Sequence, residues 1–235
     1  MAYPKTVANI SCQNCQNMNC FIKSCSAEWI QIIDNKKSEN FYQRGQHFIL
    51  KGKPILGLFF IKKGKVKVTS NSWQGKEQIV RLANDGHIVG HRGYGTDIYQ
   101  IGATALDDSV ICFVDNSTIY EAFMNNSKLT YNLMMFYSKE LRGVESRIKG
   151  MAQMTVYEKV VSVLLYLIDI FGIDKDNILN LYVSRGEMAS LSGTNEEQVV
   201  RTLTDLGKGK IIAKVKRKIK ILNKQKLEKV IELYR

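Results

Sequence analysis

The sequence predicts an α+β chain, β-rich in its first half and helical in its second. Glycine recurs every few residues between 45 and 102, at 45, 52, 57, 64, 75, 86, 90, 93, 95 and 102, as turns between short strands require. Lys63-Gly64-Lys65-Val66-Lys67-Val68-Thr69 alternates charge with branched apolar residues, the period of a half-buried strand. Residues 127–171, by contrast, hold no proline and only Gly143 and Gly150. The 235 residues, 45% apolar and 24% charged, suffice for one large domain or two small ones and argue against disorder. The longest nearly apolar run, 160–168, is far short of the roughly 20 residues of a membrane span. Polar residues rather than an apolar core follow Met1, so a cytoplasmic protein is expected.

Many short strands with glycine turns over 41–114 predict a barrel or jelly roll. In the helical half, Leu133, Tyr137, Leu141, Val144, Ile148 and Met151 step by 4, 4, 3, 4 and 3, the seam of a coiled coil. Such a seam can join two-fold related chains or pack on its own domain. A second helix over 156–171 is apolar enough to be buried on most sides, and Gly172 stops it.

Ser184-Arg-Gly-Glu187 reads as a capping box opening a helix that ends at Gly193. Thr194-Asn-Glu-Glu197 reads as a second box opening the next helix. Two short capped helices joined by a glycine turn make a helix-turn-helix. The first turn of the second helix meets base edges and holds Glu196, Glu197, Val200 and Arg201; Ser184, Thr194 and Asn195 are further candidate DNA contacts. Arg201 can donate twice to a guanine, and Glu197, four residues away on the same face, can accept from a cytosine amino group. Residues 211–221 then read as a hairpin whose basic tip, Lys216, Arg217 and Lys218, would lie on phosphates. The net charge of +12 agrees, and between Gly207 and Lys220 there are seven basic residues and no acid.

Four of the five cysteines fall at Cys12, Cys15, Cys20 and Cys25, spaced C-x2-C-x4-C-x4-C, and the fifth is Cys112. In a reducing compartment such clustering points to a metal or an iron–sulfur group before disulfides; incidental thiols on an arm are the plain alternative. His87 and His91 lie in a glycine-rich segment and read as loop or core histidines rather than ligands.

Together these parts resemble the CRP/FNR family of bacterial transcription regulators over nearly the whole chain. Gly193-Thr-Asn-Glu-Glu-Gln-Val-Val-Arg201 is similar to the family's recognition helix, with its Glu-x-x-x-Arg as Glu197 and Arg201. Val200 stands where oxygen-sensing members usually carry serine, and Glu196 where the cyclic-AMP member carries a basic residue, so the operator sequence stays open. Asp85-Gly-His-Ile-Val-Gly-His91 resembles the start of the family's phosphate cassette, but His91 replaces its glutamate. Tyr99 and Gln100 stand where its Arg and Ser would, which leaves a phosphodiester charge poorly compensated; cyclic AMP is not expected.

The oxygen-sensing branch carries an N-terminal cysteine cluster and one cysteine at the end of the β-roll, holding a [4Fe–4S] cluster whose loss weakens dimerisation. The resemblance implies Cys12, Cys15, Cys20 and Cys112 as its ligands. The second gap is one residue shorter than the branch's pattern, and Cys25 is extra. Cys25 could replace Cys112, making a local site that zinc could also occupy.

The expected organisation is a Cys-rich arm (1–28), a cyclic-nucleotide-binding-like β-roll sensor (29–126), a dimerisation helix (127–151) and a winged-helix DNA-binding domain (152–235). The expected partners are a second copy, a double-stranded operator with two-fold symmetry and RNA polymerase, with no membrane. A metal-free regulator gated by a small molecule in the roll is the rival within the family, and a cysteine-based redox enzyme the rival outside it. No Walker loop, nucleotide-binding glycine fingerprint or hydrolase motif supports an enzyme.

Overall fold

The computed structural model describes residues 5–6, 10–71, 77–93 and 95–234, the first pair as backbone only. The predicted turn at Gly75 and arm positions 1–4 and 7–9 lie outside the described residues. The chain divides into two compact units, Met1–Glu140 and Leu141–Arg235.

The first unit holds β1 (Lys5–Thr6), α1 (Ala27–Lys36), β2 (Ser38–Tyr42), β3 (His47–Ile49), β4 (Gly57–Lys63), β5 (Val66–Asn71) and β6 (Glu77–Ala83). It continues with β7 (Ile88–Val89), β8 (Gly102–Ala105), β9 (Ser109–Asp115), α2 (Asn116–Asn125) and the first half of α3 (Ser127–Gln153). The strands form two antiparallel sheets, ordered β1-β2-β9-β4-β7 and β3-β8-β5-β6. This is the predicted double-sheet roll; α1 and α2 were not legible, being short helices set by the caps Ser26 and Asp115.

Side chains alternate across a strand, so the five-stranded sheet has two apolar faces. Inside the roll, Ile61 and Ile111 pack with Ile49, Val66, Val68 and Tyr99. On the outer face, Leu58, Phe60 and Val114 pack with Ile33 of α1, Ile119 of α2 and Leu129 of α3. Cys112 has the parity of Val114 and joins this outer layer.

The second unit contains the rest of α3, then α4 (Val156–Phe171), α5 (Arg185–Ser192), α6 (Glu196–Lys208), the hairpin β10 (Ile212–Val215) and β11 (Lys218–Ile221), and α7 (Lys224–Val230). Thr155 and Glu158 close a capping box on α4, whose Val160, Val161, Leu164 and Leu167 are fully buried. α5, α6 and α7 pack around it. Residues 173–179 add short bridges beside β11, which the sequence pattern did not disclose.

Gly86 turns the chain into β7 at φ +86°, and a Cβ there would come within 2.7 Å of Asn19 in the cysteine arm. Gly86→Ala is expected to cost the first unit about 1 kcal/mol or more. Calorimetry should register this as a lowered midpoint; an unchanged one would mean that the arm does not rest on this turn.

Candidate nucleic-acid interface and cysteine cavity

In the second unit, Ser184 caps α5 as predicted: its hydroxyl accepts from Glu187 N at 3.1 Å while the Glu187 carboxylate accepts from Ser184 N at 2.8 Å. That hydroxyl is therefore occupied by the helix. Gly193 ends α5 in the left-handed conformation, φ 63° and ψ 35°. The second box falls one residue later than expected. Asn195, not Thr194, caps α6, with its Oδ1 accepting from Gln198 N at 2.9 Å. Thr194 N instead donates to Ala189 O at 3.1 Å, completing the end of α5.

Val199, Leu203 and Leu206 hold α6 to its unit, which turns Asn195, Glu196, Glu197, Val200 and Arg201 outward; Thr194 is half-buried. The hairpin pairs Val215 with Lys218 around a two-residue turn in which Lys216 takes φ +53°. Lys216, Arg217 and Lys218 are exposed, while Ile219 and Ile221 are buried. One capped helix thus presents mixed hydrogen-bonding groups, with a basic hairpin tip in the same unit.

The apolar stripe predicted on α3 begins at Leu133. Leu133 packs with Leu129 and Phe136 into the outer layer of the roll. Met134 beside it is exposed, and Met134, Tyr137, Leu141, Val144, Ile148 and Met151 step by 3, 4, 3, 4 and 3. Of these, Met134, Leu141 and Ile148 are large apolar side chains about 60% exposed.

In the first unit, Cys12, Cys15, Cys20 and Cys112 line one small cavity of about 30 Å³, together with Lys37, Glu39 and Lys62. Cys25 does not line it; it is buried in the outer layer beside Ile22. Burial pushes the Cys12 thiol up to about 11 and the Cys112 and Cys25 thiols up to about 12, and it raises Cys20 as well. Without a metal these thiols hold their protons at neutral pH. Among the described residues, no three Cys, His, Asp or Glu side chains meet at one point as a single metal ion requires. The four cysteines ring a cavity instead, a donor set that fits a polynuclear iron–sulfur group.

The residues that sequence reading missed are the charges of this cavity. Glu39 stands directly opposite Cys112 across β2 and β9, which only the strand register reveals. The cysteine layer also reaches α3: Phe21, beside Cys20, meets Phe136 edge-on at 5.2 Å between ring centroids.

Several polar groups of the cassette-like segment and its neighbours bond within the chain. Tyr99 is buried and its hydroxyl donates to Gly57 O at 2.8 Å, whereas Gln100 is exposed. Arg81 donates to Ile88 O at 2.8 Å and pairs with Glu140 of α3 at 3.1 Å, and Arg92 reaches the same carboxylate at 2.9 Å. His91 is 2% exposed, and both of its ring nitrogens are buried. Tyr137 donates its hydroxyl to the His91 carbonyl at 2.5 Å.

A capped two-helix reader with a basic wing, together with a double-sheet roll, defines a helix-turn-helix transcription regulator with a cyclic-nucleotide-binding type of sensory domain. Residues 39–126 match the cyclic nucleotide-binding domain and residues 158–230 the Crp-like helix-turn-helix domain. The chain belongs to the CRP/FNR family of transcription regulators, which are not enzymes. It is 26% identical to the fumarate and nitrate reduction regulatory protein of Vibrio cholerae, over 84% of this chain and 78% of that one. It is 21% identical to the anaerobic regulatory protein of Bacillus subtilis, over 80% and 81%. The structure of FixK2 from Bradyrhizobium japonicum aligns with a TM-score of 0.74 at 21% identity, covering 83% of this chain and 96% of that one. Among the described residues no helix is long and apolar enough to cross a membrane.

Burial first, then the charges of Arg81 and Arg92, lowers the pKa of His91 to about 3; burial, then Arg81, lowers His87 to about 4. The unfolded chain protonates these rings near pH 6.5. Their contribution to stability is therefore full above pH 6.5 and is lost as pH falls toward 3 or 4. At pH 5 the His91 share of the loss is about 2 kcal/mol. Denaturant titrations at pH 7 and pH 5 should show His91→Phe with a smaller acid loss than the native chain. An equal loss in both would mean that His91 is not held neutral.

Proposed function

We propose that this chain is a homodimeric, redox-responsive regulator of the CRP/FNR type, with Cys12, Cys15, Cys20 and Cys112 as ligands of a [4Fe–4S] cluster. The observation that carries the reading is the grouping of these four cysteines on one cavity, with Cys25 outside it. The ring of donors favours a cluster over zinc, which needs convergence on a point. When bound, the cluster supplies a centre sensitive to oxygen and nitric oxide.

The chain's own residues supply the link to DNA. Cys12, Cys20 and Cys112 pack in one apolar layer with Leu129, Leu133 and Phe136, so displacement of the arm bears on the rotational setting of α3. That setting governs how the Met134–Met151 seams of two copies meet. It thereby biases whether the two α6 helices reach successive major grooves of a two-fold operator. Glu197 and Arg201 read bases, Lys216, Arg217 and Lys218 neutralise phosphates, and RNA polymerase is the partner at the promoter. The protein acts in the cytoplasm, and cyclic AMP is not its effector.

The test begins with anaerobic purification and assays of iron, zinc, acid-labile sulfide and the visible spectrum before and after air. About four irons and four sulfides per chain, bleached by oxygen, are expected. Zinc alone, or an empty protein that still binds DNA, would overturn the cluster. With sites selected anaerobically from random DNA, Arg201→Ala should lose roughly 10- to 100-fold of its discrimination per half-site. Neutralising Lys216, Arg217 and Lys218 should weaken all DNA alike and flatten the salt dependence. A preserved discrimination ratio or an unchanged salt slope would dismiss the respective role.

A further inference from the structure

Beneath the cysteine cavity lies an ion network that the proposed cluster does not by itself explain. The Lys37 side chain is 2% exposed and uses all three of its N–H donors, to Ile10 O at 2.5 Å, Asp34 Oδ1 at 2.9 Å and Glu39 Oε1 at 3.0 Å. The Glu39 side chain is 1% exposed and also accepts from Ile10 N at 3.0 Å and from Lys62 Nζ at 2.5 Å. Asp34 Oδ1 accepts in addition from Cys12 N at 2.8 Å. Both backbone polar groups of Ile10 and the amide of the first cysteine are thus gripped by side chains of α1, of β2 and of Lys37 between them. Farther along the loop, Asn17 donates to the carbonyls of Ile61 at 3.1 Å and Lys62 at 3.0 Å on β4.

The placement of these charges is specific. Cys112 lies directly opposite Glu39 on one side and Phe60 on the other, so the network sits in the same row of the sheet as that cysteine. Burying two lysines and a glutamate is costly, and a buried pair is a poor source of stability compared with apolar packing. What the network does supply is a defined resting place for residues 10–12. Burial opposes the Lys37 charge, but its bonds to Asp34 and Glu39 outweigh this and keep it an ammonium.

We propose that Lys37, Glu39 and Asp34 are positioning residues: they latch the cysteine arm onto the roll so that Cys12, Cys15 and Cys20 face Cys112. The latch thereby makes Cys112, rather than Cys25, the fourth thiol of the set. The assignment of the thiols as cluster ligands rests on the function proposed above; the docking of the arm does not.

The experiment therefore starts with full-length, metal-free, reduced protein, alkylated with iodoacetamide and read cysteine by cysteine by mass spectrometry. Lys37→Met should raise the labelling rate of Cys112 by about tenfold or more while leaving Cys25 at its native rate, because local release of the arm leaves the core closed. Lys37→Arg, which keeps the charge, should restore much of the protection. Should Lys37→Met open Cys25 as well, the milder Asp34→Asn decides by the same criterion. An unchanged rate at Cys112 in both variants overturns the latch. So does an equal rise at Cys25 in both, since the network then supports the whole unit and not the arm.

Loading with iron and sulfide under anaerobiosis gives the second readout. In the native background the visible absorption should survive Cys25→Ser and vanish with Cys112→Ser; with Lys37→Met it should come to depend on Cys25. Absorption that still requires Cys112 in the Lys37→Met chain counts against the proposal. If no chain develops the absorption, the cluster reading fails and the labelling result alone decides the latch.

Discussion

Strand parity on the outer face of the five-stranded sheet governs the sensory unit. β4 and β9 each send alternate side chains inward and outward, and the outward set is Leu58, Phe60, Cys112 and Val114. These groups must be covered, and three things cover them: α1 with the cysteine arm, α2, and the first turns of α3. One apolar layer therefore contains both the thiols of the cavity and the residues that orient the long helix. A shift of one residue in β9 would send Cys112 into the roll and remove it from Cys12 and Cys20.

The same layer explains where sequence reading succeeded and where it stopped. The glycine turns and the alternation at 63–69 disclosed the roll because turn chemistry and period-two patterning are local. The boxes at Ser184 and Thr155 are likewise local, and Ser184 was read correctly. Thr194 was misread because Thr-x-x-Glu and the overlapping Asn-x-x-Gln both satisfy a cap pattern, and the end of α5 decides between them by drawing Thr194 N to Ala189. The setting of Leu133 is nonlocal: steps of 3 and 4 both suit a helix, and only contact with the roll shows that Leu133 packs inward and Met134 is exposed. The cavity charges were invisible since Glu39 and Cys112 are brought together by register, 73 positions apart in sequence.

The cassette-like segment is tied to α3 by its own side chains and those of β6. Arg81 lies over the ring of Phe136 at 5.1 Å and, with Arg92, shares the carboxylate of Glu140. His91 stacks edge-on against Phe136 and Tyr137, at 5.1 and 5.3 Å. These contacts tie β6 and the segment after β7 to α3 by residues three and four apart on that helix, Phe136, Tyr137 and Glu140. The glutamate expected of a nucleotide cassette would bring a charge to this buried position, whereas burial keeps the imidazole neutral.

In the proposed dimer, the composition of the seam makes it responsive to this arrangement. A seam of Leu and Ile throughout would associate firmly whatever the roll did. Here Met134, Tyr137 and Met151 take three of the six places, and Gly143 and Gly150 each lower helix stability by about 1 kcal/mol relative to alanine. Tyr137 is, in addition, bonded to the His91 carbonyl, so its ring cannot turn toward a partner without regard to the roll. Every 1.4 kcal/mol changes an association constant tenfold. A soft seam with one residue tethered to the sensor lies within reach of the small energies that movement of the arm can deliver. A rigid seam would bind DNA constitutively and report nothing.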